Sequence, residues 1–290
     1  MQLTQRLAAF PAAMRKRALP SWWLVAVIVA VTSPLAVYWW QLIAEGSVAF
    51  DWRIFVEAGE RAWRGSPDLY EVNAVYSFRH SPLMAFAMPA IAWIGTLGIR
   101  LVTLAAAVAM PTWPMRLLAL ASWPFVVDVQ HGTFITLIVC VAAWALRGRR
   151  WASIAYLALA LLSPRPLMLP VAAWLIWRQP DIRPAAALLV LANAVGVVAT
   201  GYADDWAQML LNTGTDMIEA PFNLAPSRVI GAAWVPIGLV LAAWLTIRGR
   251  IGLAALAANP YILPHYLLFV LIELDRRRGG VSKPSAAAGS

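Results

Sequence analysis

Ten polar side chains border the apolar runs of this sequence, where their chemistry would be exercised: Asp51, Arg79, His80, Asp128, Gln130, His131, Arg165, Asp204, Asp205 and His265. An ionised carboxylate beside a hydroxyl can take its proton, and arginine or histidine can hold a phosphate. Ionisable groups close to hydrocarbon are costly, which makes them functional candidates by default. Each also has a plainer reading. Asp51 suits the N-cap position of a helix, where its pKa would be lowered. The pairs Arg79-His80 and Gln130-His131 suit headgroup anchors at span ends. Asp204 and Asp205 suit a solvated loop, and Asp128 suits an ion pair with Arg165 or His131. Arg165, set between Pro164 and Pro166, is harder to dismiss. A hairpin tip that dips into a membrane rarely carries an unpaired guanidinium, and that group suits a phosphate.

The elements that must position these groups are apolar. Of 290 residues, 61% are hydrophobic and 13% charged, and the mean hydropathy is +0.69. A soluble domain needs far more polar surface. Apolar runs recur from Ser21 to Leu274, so helices must carry the backbone through lipid. These features predict an all-α, polytopic integral membrane protein with about ten transmembrane helices. The 16 Trp residues fit interfacial belts. The single Cys140 excludes an internal disulfide. No P-loop, HExxH, GxSxG or Cys-rich zinc pattern is present, and no cofactor or metal is expected.

The net charge of +9 is better explained by topology than by nucleic acid. Arg15, Lys16 and Arg17 precede a first span at about Ser21–Ala44 and place the N-terminus in the cytoplasm. If the later basic loops around Arg147–Arg150, Arg178–Arg183 and Arg248–Arg250 and the tail from Arg276 to Lys283 are also inside, then with Arg6, Arg100 and Arg116, 17 of the 23 basic residues lie there. Ten of the 14 acidic residues then fall in two outer loops, at residues 44–80 and 201–226. Residues 1–278 read as one transmembrane domain, and 279–290 as a disordered cytoplasmic tail. The stretch Pro82 to Met115 holds two apolar runs parted by Gly95 to Gly98, which form either a re-entrant segment or one broken span. In the first outer loop, Trp52, Phe55, Val56, Ala62 and Trp63 share one helical face. Arg53, Glu57, Glu60, Arg61 and Arg64 share the other, and Gly65 is a stop. That pattern predicts an amphipathic helix lying on the membrane surface.

The same loop, from Asp51 through Gly65-Ser-Pro67-Asp-Leu-Tyr70 to Phe78-Arg-His80-Ser-Pro82-Leu, resembles the first outer loop of glycosyltransferase family 87, the DUF2029 group of the GT-C superfamily. Gln130-His131-Gly132 is similar to that family's "GQ" step. Leu162-Ser-Pro164-Arg165-Pro166 is similar to its "K-P-x-P" hairpin tip, and Asn259-Pro260-Tyr-Ile-Leu-Pro264-His265-Tyr266 to its late "S-P-x-S-W-x-H-H" segment. The four points follow the family's order over most of the chain. Here Arg165 replaces the Lys, Ser81 the first Pro of "Y-P-P", and His265 stands for the paired His.

The resemblance implies a GT-C-like membrane hexosyltransferase of a bacterial inner membrane, working on the outer face. The donor would be a sugar on polyprenyl phosphate, with mannose favoured, and the acceptor a glycolipid or glycan. By the same resemblance Asp51 is the general base. Arg165, with His265 or His131, holds the donor phosphate, and Gln130, His80, Arg79 and Tyr70 line the substrate site. Two other classes stand beside it: a transporter or flippase of lipid-linked sugars, which would need the same outer Arg and His groups, and a non-catalytic membrane subunit that only scaffolds partners. A transporter predicts inverted repeats and midplane ionisable groups, and neither is visible.

Overall fold

Helix is the only regular structure among the described residues, as a chain this apolar requires if its backbone polar groups are to be satisfied internally. The computed structural model describes residues 49–70, 78–212, 218 and 223–275. The chain divides into two units, Met1–Glu45 and Gly46–Ser290, and all the described residues belong to the second. The first span expected at Ser21–Ala44, the basic N-terminus and the tail 279–290 lie outside the described residues.

Helix α1 covers Phe50–Trp63, α2 Pro82–Ala92, α3 Gly95–Val108, α4 Trp113–Ala121, α5 Trp123–His131, α6 Ile135–Leu146 and α7 Arg150–Leu162. A short 3-10 turn at Pro166–Met168 leads into α8, Leu169–Arg178. Then follow α9 (Arg183–Ala199), α10 (Ala203–Asn212), α11 (Ser227–Ile230), α12 (Trp234–Ile247) and α13 (Ile251–Ala258), and the described chain closes with a 3-10 helix at Pro264–Leu274. Proline starts many of these helices, because its fixed φ and missing N–H are harmless in a first turn. At α2, Ser81 caps the helix ahead of Pro82, its hydroxyl accepting from the Leu83 N–H at 3.4 Å. Thr112 does the same for α4 through Met115 N–H at 3.3 Å.

These breaks reduce the number of full-length spans. Among the described residues two apolar helices are long enough to cross a membrane, Pro180–Ala199 and Ser227–Ile247, and the number rises to four if each of two bent pairs is one span. The apolar runs of the sequence predict about ten. The structure instead divides several runs into helices of 10–17 residues, such as Arg150–Leu162, Pro166–Arg178 and Pro264–Leu274. The stretch from Pro82, open to two readings in the sequence, is one of the bent pairs: α2 and α3 meet at 105°. Gly95 sits at the corner with φ of 61°, a value that only glycine adopts at no steric cost. The other pair, α5 and α6, bends by 119°.

Helix α1 is amphipathic as expected, but its apolar face is not free for lipid. Trp52, Phe55, Ala58 and Ala62 are buried, packed with Ala85 and Met88 of α2, with Ile99 and with Tyr202. Protein therefore covers the stripe that was expected to rest on the membrane. Trp63, counted on that stripe, is 67% exposed, and its indole N–H donates to the Phe86 carbonyl at 2.9 Å. The position of Asp51 is also corrected. The N-cap is Ala49, and Asp51 sits inside the helix, in its first turn, making no capping bond.

The ends of α6, α8, α12 and the 3-10 helix are joined. Arg147 forms a fork with Asp275 (Nε at 2.6 Å, Nη2 at 3.1 Å), and Arg250 reaches Glu273 at 3.6 Å. Gln179 donates to the Ala145 carbonyl at 2.9 Å and accepts from Ser153 at 2.8 Å. Small residues let the last helices approach: a Cβ on Gly238 would run into the Ala257 carbonyl oxygen, and one on Gly252 into that of Phe269. Because backbone rather than a movable side chain is struck, Gly252→Ala is expected to destabilise the protein by about 1–3 kcal/mol. A melting curve in detergent would show this as a lowered Tm, and an unchanged Tm would mean that the helix pair is looser than described.

Candidate functional site

The far ends of these helices bring together residues widely separated in sequence. Gly132 ends α5 with φ of 72°. A methyl group there would lie 3.1 Å from Ala49 Cβ and 3.2 Å from Trp52 Cβ. The missing side chain thus lets the start of α1 approach the end of α5, setting Asp51 beside His131. A second link joins the loop before α2 to the end of α7, where Ser81 N–H donates to the Leu162 carbonyl at 3.0 Å. It brings His80 to Arg165. A third link holds the segment before the 3-10 helix: Asn223 Oδ1 accepts from both Ala225 and Ile262 N–H (2.8 and 2.9 Å), and Leu224 N–H donates to the Ile262 carbonyl at 2.8 Å.

Arg165 is the centre of the cluster. Its Nη2 donates to His80 Nε2 at 3.4 Å, and its guanidinium carbon lies 5.5 Å from the Tyr266 ring centroid, a stacking distance for a cation over an aromatic face. Its Nη1 is buried without a hydrogen-bond partner. Arginine has no lone pair to offer, so His80 Nε2 must be the acceptor and its proton must sit on Nδ1. That Nδ1 is buried and unpartnered, as is Nδ1 of His265. Burial and the nearby Arg165 charge hold the His80 pKa well below its usual value, so the ring is neutral. His80 is fixed between Phe55 (4.8 Å between centroids) and Phe78 (5.4 Å). His265 packs edge-on against Tyr266 at 4.7 Å and faces His131 at 6.4 Å.

Asp51 is half-buried and has no hydrogen-bond or ion-pair partner among the described residues. Burial pushes its carboxyl above the usual carboxylate range, against the opposing pull of His131 and Arg165; the charge of Asp128 adds to the rise. The lowered pKa expected of an N-cap carboxylate is therefore corrected. Asp51 caps nothing, and partial removal from water disfavours its charge.

Comparison with protein families, with curated proteins and with solved structures gives no match. The site has to be read from its own chemistry.

Asp128 is not an ion-pair partner of Arg165 or His131. Its carboxylate caps the following helix from a distance, accepting from Ile135 N–H at 3.1 Å, from Thr136 N–H and hydroxyl at 2.7 and 2.5 Å, and from the Thr133 hydroxyl. This fully buried group closes the sharp turn between α5 and α6, and so holds His131 in place. Asp128→Asn would present an amide N–H₂ to donors that need an acceptor. The expected cost is about 2–4 kcal/mol, read as a lower Tm; an undisturbed melting curve would show that the turn holds without this cap.

Tyr70, expected to line the substrate site, ties down the loop before α2. Its hydroxyl donates to the His80 carbonyl at 3.3 Å, and burial raises its pKa far above the usual phenol value. Gln130 lies beside His131 on α5 and makes no hydrogen bond among the described residues, while Arg79 is half-buried next to His80. Asp204 and Asp205 are exposed in the first turn of α10, open to solvent as a solvated loop would have them. Two further participants are not among the candidate site residues of the sequence: Tyr266, which ends the late motif segment and is the platform under Arg165, and Asn223, which pins the His265 segment. An Asn three residues before a Pro is a turn signal, but nothing local shows which distant segment it will hold. Among the described residues no group of three or more His, Cys, Asp or Glu gathers in a metal-holding arrangement.

Proposed function

We propose that this chain is a membrane glycosyltransferase, moving a hexose from a polyprenyl-phosphate donor to the hydroxyl of a glycolipid or glycan acceptor. Mannose is favoured by the family resemblance. The observation that carries the reading is Arg165: a cation with a buried, unpartnered nitrogen, bracketed by two unpartnered histidine nitrogens, within electrostatic reach of an unpaired carboxyl. Buried donors without acceptors fit an anionic group. A carboxyl with a raised pKa and no partner fits a general base.

In the reaction, the acceptor oxygen bonds to the anomeric carbon while its proton passes to Asp51. The bond from that carbon to the phosphate oxygen breaks, and its electron pair leaves with the phosphate. The growing negative charge is received by Arg165, with Nδ1–H of His80 and the His265 ring as further partners. A polyprenyl chain has to stay in lipid while its phosphate reaches this site, which suits an assembly whose apolar helices border the cluster. The positive-inside pattern of the sequence supports an outward-facing site in a bacterial inner membrane, with both termini inside. The experiment is direct: the full chain in vesicles is given radiolabelled polyprenyl-phosphate mannose and an envelope lipid extract. Label moving into a glycolipid or glycan is the expected result. No transfer with any polyprenyl-phosphate hexose would overturn the reading.

A further inference from the structure

At the other end of the assembly, a helix length from Asp128, or roughly 18 Å at about 1.5 Å per residue along α6, three helices finish side by side, and each lays arginine on tryptophan. Arg147 and Arg149 lie 5.9 and 5.8 Å from the Trp144 ring, Arg178 4.8 and 4.6 Å from Trp174 and Trp177, and Arg248 5.4 Å from Trp244. The loop after α12 meets the end of α8, since a Cβ on Gly249 would touch the Trp174 ring at 3.9 Å.

Some of these cations have structural work. Arg147 is paired with Asp275 and Arg250 with Glu273. Arg183 donates to the Ile176 and Trp177 carbonyls at 3.0 and 3.3 Å, so the C-terminal turn of α8 already has the cation its dipole favours. Arg149, Arg178 and Arg248 remain, and of these Arg178 and Arg248 flank the contact between Gly249 and Trp174. Both are exposed, and among the described residues neither has a carboxylate partner. Their stacking on indoles holds the guanidiniums in place with their donor edges unused.

Directly below them lies apolar surface. Ile237, Val240, Trp244 and Ile247 of α12 are exposed by 50, 72, 51 and 72%, and their spacing of three and four residues puts them on one face. Trp177 on α8 is 52% exposed. An apolar stripe ending in two unpaired guanidiniums is the complement of one molecule, a lipid with an anionic head.

We propose that Arg178 and Arg248, seated on Trp174, Trp177 and Trp244, bind the phosphate of an anionic phospholipid whose acyl chains lie along the exposed face of α12. The site rests on α12 lying in a membrane and is independent of sugar transfer. Charge complementarity selects the occupant: a zwitterionic head adds a cation that two arginines would repel, and free phosphate gains nothing from the stripe.

The test uses the purified full chain in neutral detergent, its thermal unfolding followed with phosphatidylglycerol, phosphatidylcholine or inorganic phosphate added. Phosphatidylglycerol should raise Tm in a saturable way, as a ligand of the folded state must, while the other two leave it unchanged. Arg178→Ala with Arg248→Ala should lose most of that rise, and the double Lys replacement, which keeps charge without the planar fork, should retain part of it. Equal shifts with both lipids, a full shift in the double Ala variant, or a shift reproduced by inorganic phosphate would overturn the site. If the double variant does not fold, Arg248→Gln alone, a change at an exposed side chain, gives the same comparison. Because the readout is lipid-dependent stability, it fails or succeeds separately from the transfer assay.

Discussion

Arg165→Ala is expected to lower kcat/KM for transfer from a polyprenyl-phosphate sugar by about 10²–10³-fold, the usual loss when a preorganised donor to developing negative charge is removed. The stability of the protein should not fall with it. Arg165 has no carboxylate at ion-pair distance among the described residues, and one of its nitrogens is buried without a partner, so the folded state carries a desolvation cost that an anionic ligand relieves. Removing such a group leaves Tm unchanged or higher, the signature of a residue kept for binding. Arg165→Lys should recover part of the rate. It restores the charge but loses the planar contact with Tyr266 and the bond to His80. Transfer at the wild-type rate in Arg165→Ala membranes would remove Arg165 from the site.

The second large effect is at Asp51. Asp51→Asn keeps the shape and removes the base, and transfer should drop by about 10²–10⁴-fold. The pH profile adds a check that a structural role would not produce. Only the ionised carboxylate accepts the proton, so the wild-type rate should rise with pH through the Asp51 pKa and then level off. Burial has raised that pKa, so the rise occurs at higher pH than for an ordinary carboxylate of about 3.9. The linked effect on stability has the opposite sense. Between the unfolded and the raised folded pKa the folded state binds more protons, so its stability falls as pH increases through that window. Asn has no such dependence, and the variant should be at least as stable as wild type above it. A rate limb that persists in Asp51→Asn would assign the titration to another group.

Both variants change residues whose type and position single them out in the sequence, while the surroundings of those residues have no such mark. The amphipathic pattern at Trp52, Phe55 and Ala62 signals a helix with one apolar face, and those three residues are buried. Periodicity cannot say what buries them. The covering surface is α2 and its neighbours, and Trp63, on the same expected stripe, is left outside because Phe86 offers it only a carbonyl at the edge. Asp51 reads as an N-cap because Asp is a good cap by type. The cap position instead falls at Ala49, where the close approach to Gly132 leaves little room for a larger side chain. Asp128 escapes a local reading for a different reason. Its partners are backbone N–H groups and hydroxyls across a 119° bend, and a bend of that kind has no signature in hydropathy.

The polar residues at the edges of the apolar runs thus divide into two kinds of information. Composition alone requires helix as the regular structure, since so apolar a chain must satisfy its own backbone. The sequence also marked where helices begin, through proline, and it marked Asp51, His80, His131, Arg165 and His265 as costly enough to need a reason. Which of them meet is settled by the packing of the helices. His80 and Arg165 are brought together by a backbone bond between Ser81 and Leu162, Asp51 comes near His131 across a glycine, and Asn223 holds the His265 segment. These are contacts between segments many residues apart, set by packing and bends. Local residue type carries no record of them.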